Sequence, residues 1–335
     1  MSQLNEAAQA LKRGELVAFP TETVYGLGAD ALNPEAVCSI FKAKGRPNDN
    51  PLIVHIARLE ALENLAVNIK PDVKKLAENF WPGPLTMILH KASIVPDETT
   101  AGLDTVAVRM PDNAIALELI LKSGVPVAAP SANLSGKPSP TLAEHVLEDL
   151  NGKIPYIIDG GACRVGVEST VLDMTTEIPV ILRPGGVTPE MLQQVIGKIM
   201  LDRSLTERQM VDKPRSPGMK YTHYKPKGEV TVVSGSESGV FQWINTNTGM
   251  DEKAGKKTAV IAANEHISFY NASNIIPYGS IYAPEQAAAS IFRIFRDCDI
   301  NGIEKIYIEA VPKKGIGLAV MNRIEKAAGG RIIRV

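Results

Sequence analysis

Short apolar runs alternate along this chain with longer stretches whose apolar positions recur every three or four residues. Leu16-Pro20, Leu52-Ile56, Leu85-His90, Thr105-Met110, Val125-Pro130, Tyr156-Ile158, Ser169-Asp173 and Val180-Leu182 read as strands. The stretches between them carry helix punctuation. The first, MSQLNEAAQALKRGE, is an amphipathic helix with Ser2 as cap and Gly14 as stop. Asn33 caps a second, with Pro34 at its first position and Gly45 just past its end. Helices are also expected over Leu59-Leu65, Pro71-Phe80 and Ala114-Lys122. Another follows Thr141, with Glu144 completing a capping box, and one more opens at Thr188-Pro189. Strands and helices that do not strictly alternate predict an α/β fold with a mixed sheet.

The pattern breaks after residue 200. Leu201 to Gly228 is polar, holds the segment SPGMKYTHYKPKG and shows neither period, so it reads as a linker. From Glu229 a regular βαβ alternation begins. Strands are expected at Val230-Val233, Thr258-Ala262, Lys305-Ala310 and Arg331-Val335, and helices from about Glu237, at Pro284-Arg296 and at Ile316-Ala328. This predicts three parts: residues 1–200, a linker over 201–228, and a smaller Rossmann-like parallel α/β domain over 229–335.

Composition narrows the functional classes. A net charge of −1 over 335 residues argues against a general nucleic-acid coat protein. The three cysteines, Cys38, Cys163 and Cys298, are far apart and form no CxxC pair, which disfavours a disulfide framework or a zinc site. No apolar run is long enough to span a bilayer, and the N-terminus lacks the apolar core of a signal peptide. A cytoplasmic protein is expected.

The candidate chemistry gathers between Phe19 and His55. Gly26-x-Gly28-x-x-Ala31 formally matches a dinucleotide fingerprint, but TETVY separates it from the preceding strand. The glycines fit close backbone approach better. Lys44 and Arg46, spaced i, i+2 before Pro47, would point the same way from extended backbone. With Asn48 and Asn50 they suit a polyphosphate. The alternative is an ordinary helix C-terminus, where cations are favoured by the dipole. Ser131, Asn133, Ser135, Gly136, Lys137 and Ser139 form a polar loop at the carboxyl end of an apolar strand, where α/β folds usually hold ligands. Arg109 shares a strand face with Thr105 and Ala107, and Arg183 ends a strand in the same way. His55, in LIVHI, fits a satisfied core histidine as readily as a catalyst. No nucleophile-base pair and no metal-spaced cluster stands out.

Six ordered segments, PTETVYGLG, KAKGRPNDNPL, TVAVRMP, PSANLSGKPSPT, ESTVLD and ILRPG, resemble the YrdC-like domain of threonylcarbamoyl-AMP synthases. SPGMKYTHYKPKG and the domain after it resemble the long, two-domain form of that family. The resemblance implies a twisted mixed sheet around an open concave cavity. It implies synthesis of threonylcarbamoyl-AMP and pyrophosphate from L-threonine, bicarbonate and ATP, with Mg2+ carried on ATP. The product would serve a downstream threonylcarbamoyl transferase that modifies tRNA; weak RNA binding is a further expectation, and no membrane partner is expected. Lys44, Arg46, Ser131 and Asn133 look like the family's signature tetrad. Arg46, Asn50, Thr105, Ser131, Ser139 and Arg183 are implied ATP contacts, with His223 and Tyr224 as a lid over the nucleotide. Thr23, His55, Arg109, Ala129 and Ser169 are implied threonine contacts. Two rivals remain. One is a carbamoyltransferase-type YrdC module of hydrogenase maturation, whose zinc-finger cysteine pairs this chain lacks. The other is a non-catalytic RNA-binding module, whose binding would be strongly salt-dependent.

Overall fold

The structure is a computed structural model, and it describes residues 3–205 and 224–335. Among these the chain forms two compact units, 3–135 with 139–205, and 136–138 with 224–335.

The first unit contains helices α1 (Gln3–Lys12), α2 (Pro34–Lys44), α3 (Ala61–Leu65), α4 (Pro71–Phe80), α5 (Asp97–Thr100), α6 (Ala114–Ser123), α7 (Ala143–Leu150) and α8 (Pro189–Ile196). Its strands are β1 (Val17–Phe19), β2 (Gly26–Asp30), β3 (Ile53–His55), β4 (Ala66–Val67), β5 (Leu85–Lys91), β6 (Thr105–Arg109), β7 (Val127–Ala128), β8 (Tyr156–Ile157), β9 (Thr170–Asp173), β10 (Val180–Arg183) and β11 (Met200–Leu201). They form one mixed sheet in the order β11-β10-β9-β5-β6-β3-β7-β2-β1-β8, with β4 paired to β5. The pairs β3–β6, β5–β9, β1–β8 and β10–β11 are parallel and the rest antiparallel.

Local signals explain most elements. Asn33 Oδ1 accepts from the backbone N–H groups of Glu35 at 3.0 Å and Ala36 at 3.2 Å, and Gly45 closes α2 in the left-handed region at φ 66°. Asn113 caps α6 in the same way, and Thr188 caps α8. Strand β1 is buried on both faces. Ala18 joins the larger core with Leu27, Val54 and Val108, while Val17 and Phe19 meet α1 and α6 on the other side.

Four expectations change. The segment after Pro20 contains a strand, β2, that the apolar pattern does not mark, and both glycines lie inside it, where the expected close backbone approach is found. A Cβ on Gly28 would lie 2.8 Å from Phe19 Cε1 and from Val127 Cγ1, so the glycine is needed for close packing of three strands. The run Val125-Pro130 reduces to two ladder residues, because Pro126 and Pro130 carry no N–H to donate. The Thr141-Glu144 box does not form: α7 starts at Ala143 behind Leu142, with no side-chain cap, and the Thr141 N–H donates instead to His145 Nδ1 at 3.2 Å. Lys44 and Arg46 do not share extended backbone, since Lys44 is the last helical residue and Gly45 turns the chain.

The second unit has strands β12 (Glu229–Ser234), β13 (Thr258–Ala263), β14 (Ile275–Gly279), β15 (Lys305–Glu309) and β16 (Ile332–Arg334) with helices α9 (Glu237–Lys253), α10 (Pro284–Ile300) and α11 (Gly317–Ala327). The sheet is all parallel, ordered β14-β13-β15-β12-β16. Strand β14 has no counterpart in the expected pattern: half-exposed at the edge, Ile-Ile-Pro-Tyr-Gly carries no clean alternation. At the carboxyl ends of β13 and β15, the buried Glu309 carboxylate accepts from Tyr270 Oη at 2.8 Å and Tyr278 Oη at 3.3 Å. Among the described residues no helix is long and apolar enough to cross a membrane.

Candidate active site

Four neighbouring strands of the first unit place their chemistry by simple alternation. Ile53, Ile88, Ala107, Val171 and Leu182 make a small apolar cluster on one sheet face. Two residues further along the same face stand His55 on β3, Arg109 on β6, Thr86 on β5 and Ser169 just before β9. The register His55↔Arg109, with Met87↔Val108 and Thr86↔Val171, brings all four to one end of the sheet. Each is buried. Thr86 Oγ1 and Ser169 Oγ are 2.7 Å apart.

The loop after β1 folds over this end. Thr21 Oγ1 donates to the Val24 carbonyl at 2.6 Å and accepts from the backbone N–H groups of Thr23 and Val24, both at 3.2 Å. That turn aims Thr23 at Arg109, whose Nη1 donates to Thr23 Oγ1 at 3.0 Å while Nε donates to the Gly83 carbonyl at 3.3 Å. Arg109 Nη2 lies 2.6 Å from Glu22 Oε1, an ion pair with both side chains almost completely buried. Glu22 was not among the expected site residues. The available signal was a charged residue flanked by two threonines immediately after a buried strand.

His55 is buried, with Nδ1 3.1 Å from its Ile53 carbonyl. Desolvation, followed by the charge of Arg109, lowers its pKa to about 3, so the ring is neutral at physiological pH. The unfolded chain would protonate this histidine near its ordinary 6.5, and the folded one only near 3. The unfolded state therefore binds the extra proton, and stability contributed by His55 falls as pH drops from about 6.5 towards 3. His55→Gln should flatten this dependence. Between pH 6 and 4 the wild-type slope of unfolding free energy should exceed the variant's by up to about 1.4 kcal/mol per pH unit. Denaturant titrations across that range check it, and equal slopes would remove His55 as the cause.

A second wall adjoins through β2. Leu27 donates its N–H to the Pro130 carbonyl and Ala132 donates to the Tyr25 carbonyl, both at 2.8 Å, which zips the Thr-rich loop to Ser131-Asn133. Lys44 is buried at the end of α2, and its Nζ donates to the carbonyls of Ser131 and Asn133. Ser131 Oγ donates to Asn133 Oδ1 at 2.5 Å. The expected tetrad is thus assembled in three of its members. The fourth, Arg46, is half-buried with its guanidinium 5.1 Å over the Phe41 ring. Asn50 is fully buried, and neither its amide oxygen nor its nitrogen has a hydrogen-bond partner.

The remaining expected contacts are placed as follows. Ser139 Oγ donates to Glu168 Oε1 at 2.6 Å. Arg183 donates from Nε to the Ser169 carbonyl and from Nη2 to Ser169 Oγ, both at 3.1 Å, so it touches a threonine candidate directly. Ala129 is buried beside Ile53, to whose carbonyl it donates at 2.9 Å. Thr105 is half-buried at the opposite end of β6 from Arg109. Tyr224 belongs to the second unit, where it is buried, stacked on Phe292 at 5.1 Å, with the Arg323 guanidinium 5.5 Å over its ring. His223 lies outside the described residues. Among the described residues no group of three His, Cys, Asp or Glu comes together to hold a metal.

Two family models and several known proteins match this chain. A family model described as "Telomere recombination" matches residues 9–185, and one described as "Threonylcarbamoyl-AMP synthase, C-terminal domain" matches 187–329. A threonylcarbamoyl-AMP synthase of Pyrococcus abyssi is 52% identical over 329 residues, covering 98% of this chain and 95% of the relative. That of Bacillus subtilis is 49% identical over 333 residues, covering 99% and 94%. A crystal structure of P. abyssi Sua5 complexed with L-threonine superposes with a TM-score of 0.94 at 51% identity, covering 99% of this chain and 96% of that one. The chain, matched from end to end in both of its units, belongs to the threonylcarbamoyl-AMP synthase family.

Proposed function

We propose that this chain joins L-threonine, bicarbonate and ATP into threonylcarbamoyl-AMP, releasing pyrophosphate, and passes the product to a transferase that modifies tRNA. The observation that carries the reading is the convergence of Arg109, Thr23, His55 and Ser169 at one end of one sheet face, beside the wall built by Lys44, Ser131 and Asn133.

The roles follow from the charges. Arg109 is the cation for the threonine carboxylate, oriented by Thr23 and the Gly83 carbonyl, with N–H groups still available on its outer nitrogens. Neutral His55 lines that pocket without adding a second charge. Ser169, held between Thr86 and Arg183, is the hydroxyl that ties the threonine pocket to the nucleotide wall. On that wall the Ser131-Asn133 loop, braced by Lys44, faces phosphate, and Arg46 supplies a further cation. Ser139, Thr105 and Arg183 are assigned to the nucleotide.

The reaction needs an anionic carbamate to attack the α-phosphate of a polyanion. Neutralised charge and enforced geometry matter more there than a protein nucleophile. Magnesium arriving with ATP would offset phosphate charge. The Asn50 amide, buried and unpartnered, could offer it an oxygen or offer a phosphate an N–H.

The purified chain is expected to release pyrophosphate from ATP only when L-threonine and bicarbonate are both present, in a coupled phosphate assay. Equal release without threonine, or none under any condition, would overturn the reading.

A further inference from the structure

Glu22 is a buried carboxylate, 2% exposed, that the roles above leave unused. Its one charged partner among the described residues is Arg109, at 2.6 Å. The two are close but not aligned for hydrogen bonding: neither carboxylate oxygen receives a hydrogen bond, and neither does Arg109 Nη2 donate one. Buried carboxylates normally collect donors, because an unsatisfied charge in a low-dielectric setting is costly. Here Oε2 has none. The backbone around it is fixed, since the Glu22 carbonyl accepts from Val165 N–H at 2.7 Å and the Thr23 carbonyl accepts from Gly166 N–H at 3.1 Å. The carboxylate is therefore held in place with vacant acceptor positions, next to the arginine assigned to a substrate carboxylate.

The two titratable neighbours that interact with this pair, His55 and Cys163, add no charge to it. His55 is neutral, and burial pushes the Cys163 thiol up to about 12, so it too is uncharged. Glu22 and Arg109 set one buried negative and one buried positive charge side by side. Adding a simple carboxylate to such a pair leaves a net buried negative charge, which is disfavoured. Adding a zwitterion whose carboxylate meets Arg109 and whose ammonium meets Glu22 leaves the charge of the pair balanced. It also gives Oε2 its missing donors.

We propose that Glu22 receives the ammonium of the substrate, so that the Glu22–Arg109 pair forms a receptor for a zwitterion and selects an α-amino acid over its desamino analogue. This rests on the assignment of Arg109 to the threonine carboxylate. Glu22 is then a specificity-determining residue in direct contact with substrate rather than a brace for Arg109.

Calorimetric titration of the full chain with L-threonine and with (R)-3-hydroxybutyrate, which lacks only the amine, tests it. Wild type should bind threonine at least about 100-fold more tightly than the analogue. Glu22→Gln should weaken threonine by at least about 30-fold while leaving the analogue unchanged or bound more tightly, because the arginine is then an unopposed cation. If both ligands weaken together in Glu22→Gln, Glu22 only holds Arg109 and the proposal fails. It fails equally if threonine affinity stays within about threefold of wild type, well short of the loss expected for an orphaned buried charge. Wild type that binds both ligands alike also overturns it, with the threonine site intact. Wild type that binds neither overturns the threonine reading itself. Glu22→Asp, which keeps the charge, should retain the preference for threonine. If Glu22→Gln does not fold, loss of the preference in Glu22→Asp overturns the proposal and its retention supports it.

Discussion

Arg109→Met is expected to lower threonine-dependent pyrophosphate release by about a hundredfold to a thousandfold, the loss typical of a single charge-assisted contact on which the reacting geometry depends. Arg109 is buried in the middle of the sheet, between β3 and β5, and its guanidinium is committed to Thr23, Gly83 and Glu22. No solvent cation can replace it there. The KM for threonine should rise while the affinity for ATP changes little, because the phosphate wall is built from other residues. Removing the arginine also leaves Glu22 as an uncompensated buried charge, which costs about 3–5 kcal/mol of stability. The double variant Glu22→Gln/Arg109→Met removes that charge and should recover much of the stability, but none of the activity. Denaturant melts and steady-state kinetics on both variants separate the two effects. Recovery of activity in the double variant would show that Arg109 serves only to neutralise Glu22.

Lys44→Ala is expected to reduce turnover by about a hundredfold to a thousandfold, through loss of the oriented loop and of its positive charge. Lys44 Nζ donates to two backbone carbonyls of the loop that carries Ser131 and Asn133, and the Ser135 N–H donates back to the Lys44 carbonyl at 3.2 Å. Without the ammonium those carbonyls lose a charged donor, a cost of about 1–3 kcal/mol. Lys44→Arg should not restore activity, because a planar guanidinium cannot occupy the compact buried position of an ammonium. The pattern to measure is a fall in kcat with a rise in KM for ATP, against threonine binding by calorimetry that stays near wild type. Loss of threonine affinity as large as the loss of turnover would mean that Lys44 supports the whole site rather than the nucleotide wall.

Local rules account for much of the fold. Asn33, Pro34 and Gly45 mark both ends of α2, because capping and the left-handed C-terminus depend on neighbours within one turn. The strand at Thr105-Met110 and the shared face of Arg109, Ala107 and Thr105 follow from alternation alone, and Ala107 does lie in the apolar floor beneath the site. The regular alternation after Glu229 similarly predicts the parallel second sheet.

Other features were decided by packing. The close approach expected of the glycines is present, but the strand β2 that contains them is defined only by Phe19 and Val127, which fill the space a Gly28 side chain would need. The i, i+2 spacing presents Lys44 as a phosphate-facing partner of Arg46, yet its ammonium is drawn to carbonyls 87 and 89 residues away in sequence. The sequence marks Glu22 only as a charge between two threonines; its partner, Arg109, approaches only once β3, β5 and β6 are in register.

Both ends of α2, the start of α8, the strand positions that face a core and the polar segments at strand ends are legible from the chain alone, since they depend on interactions within a few residues, whereas the start of α7 is not. Only the tertiary structure decided that the loop after β1, the end of α2 and the Ser131-Asn133 loop converge on one sheet face. It also decided which buried charges oppose each other there, because strand register and desolvation depend on residues distant in sequence.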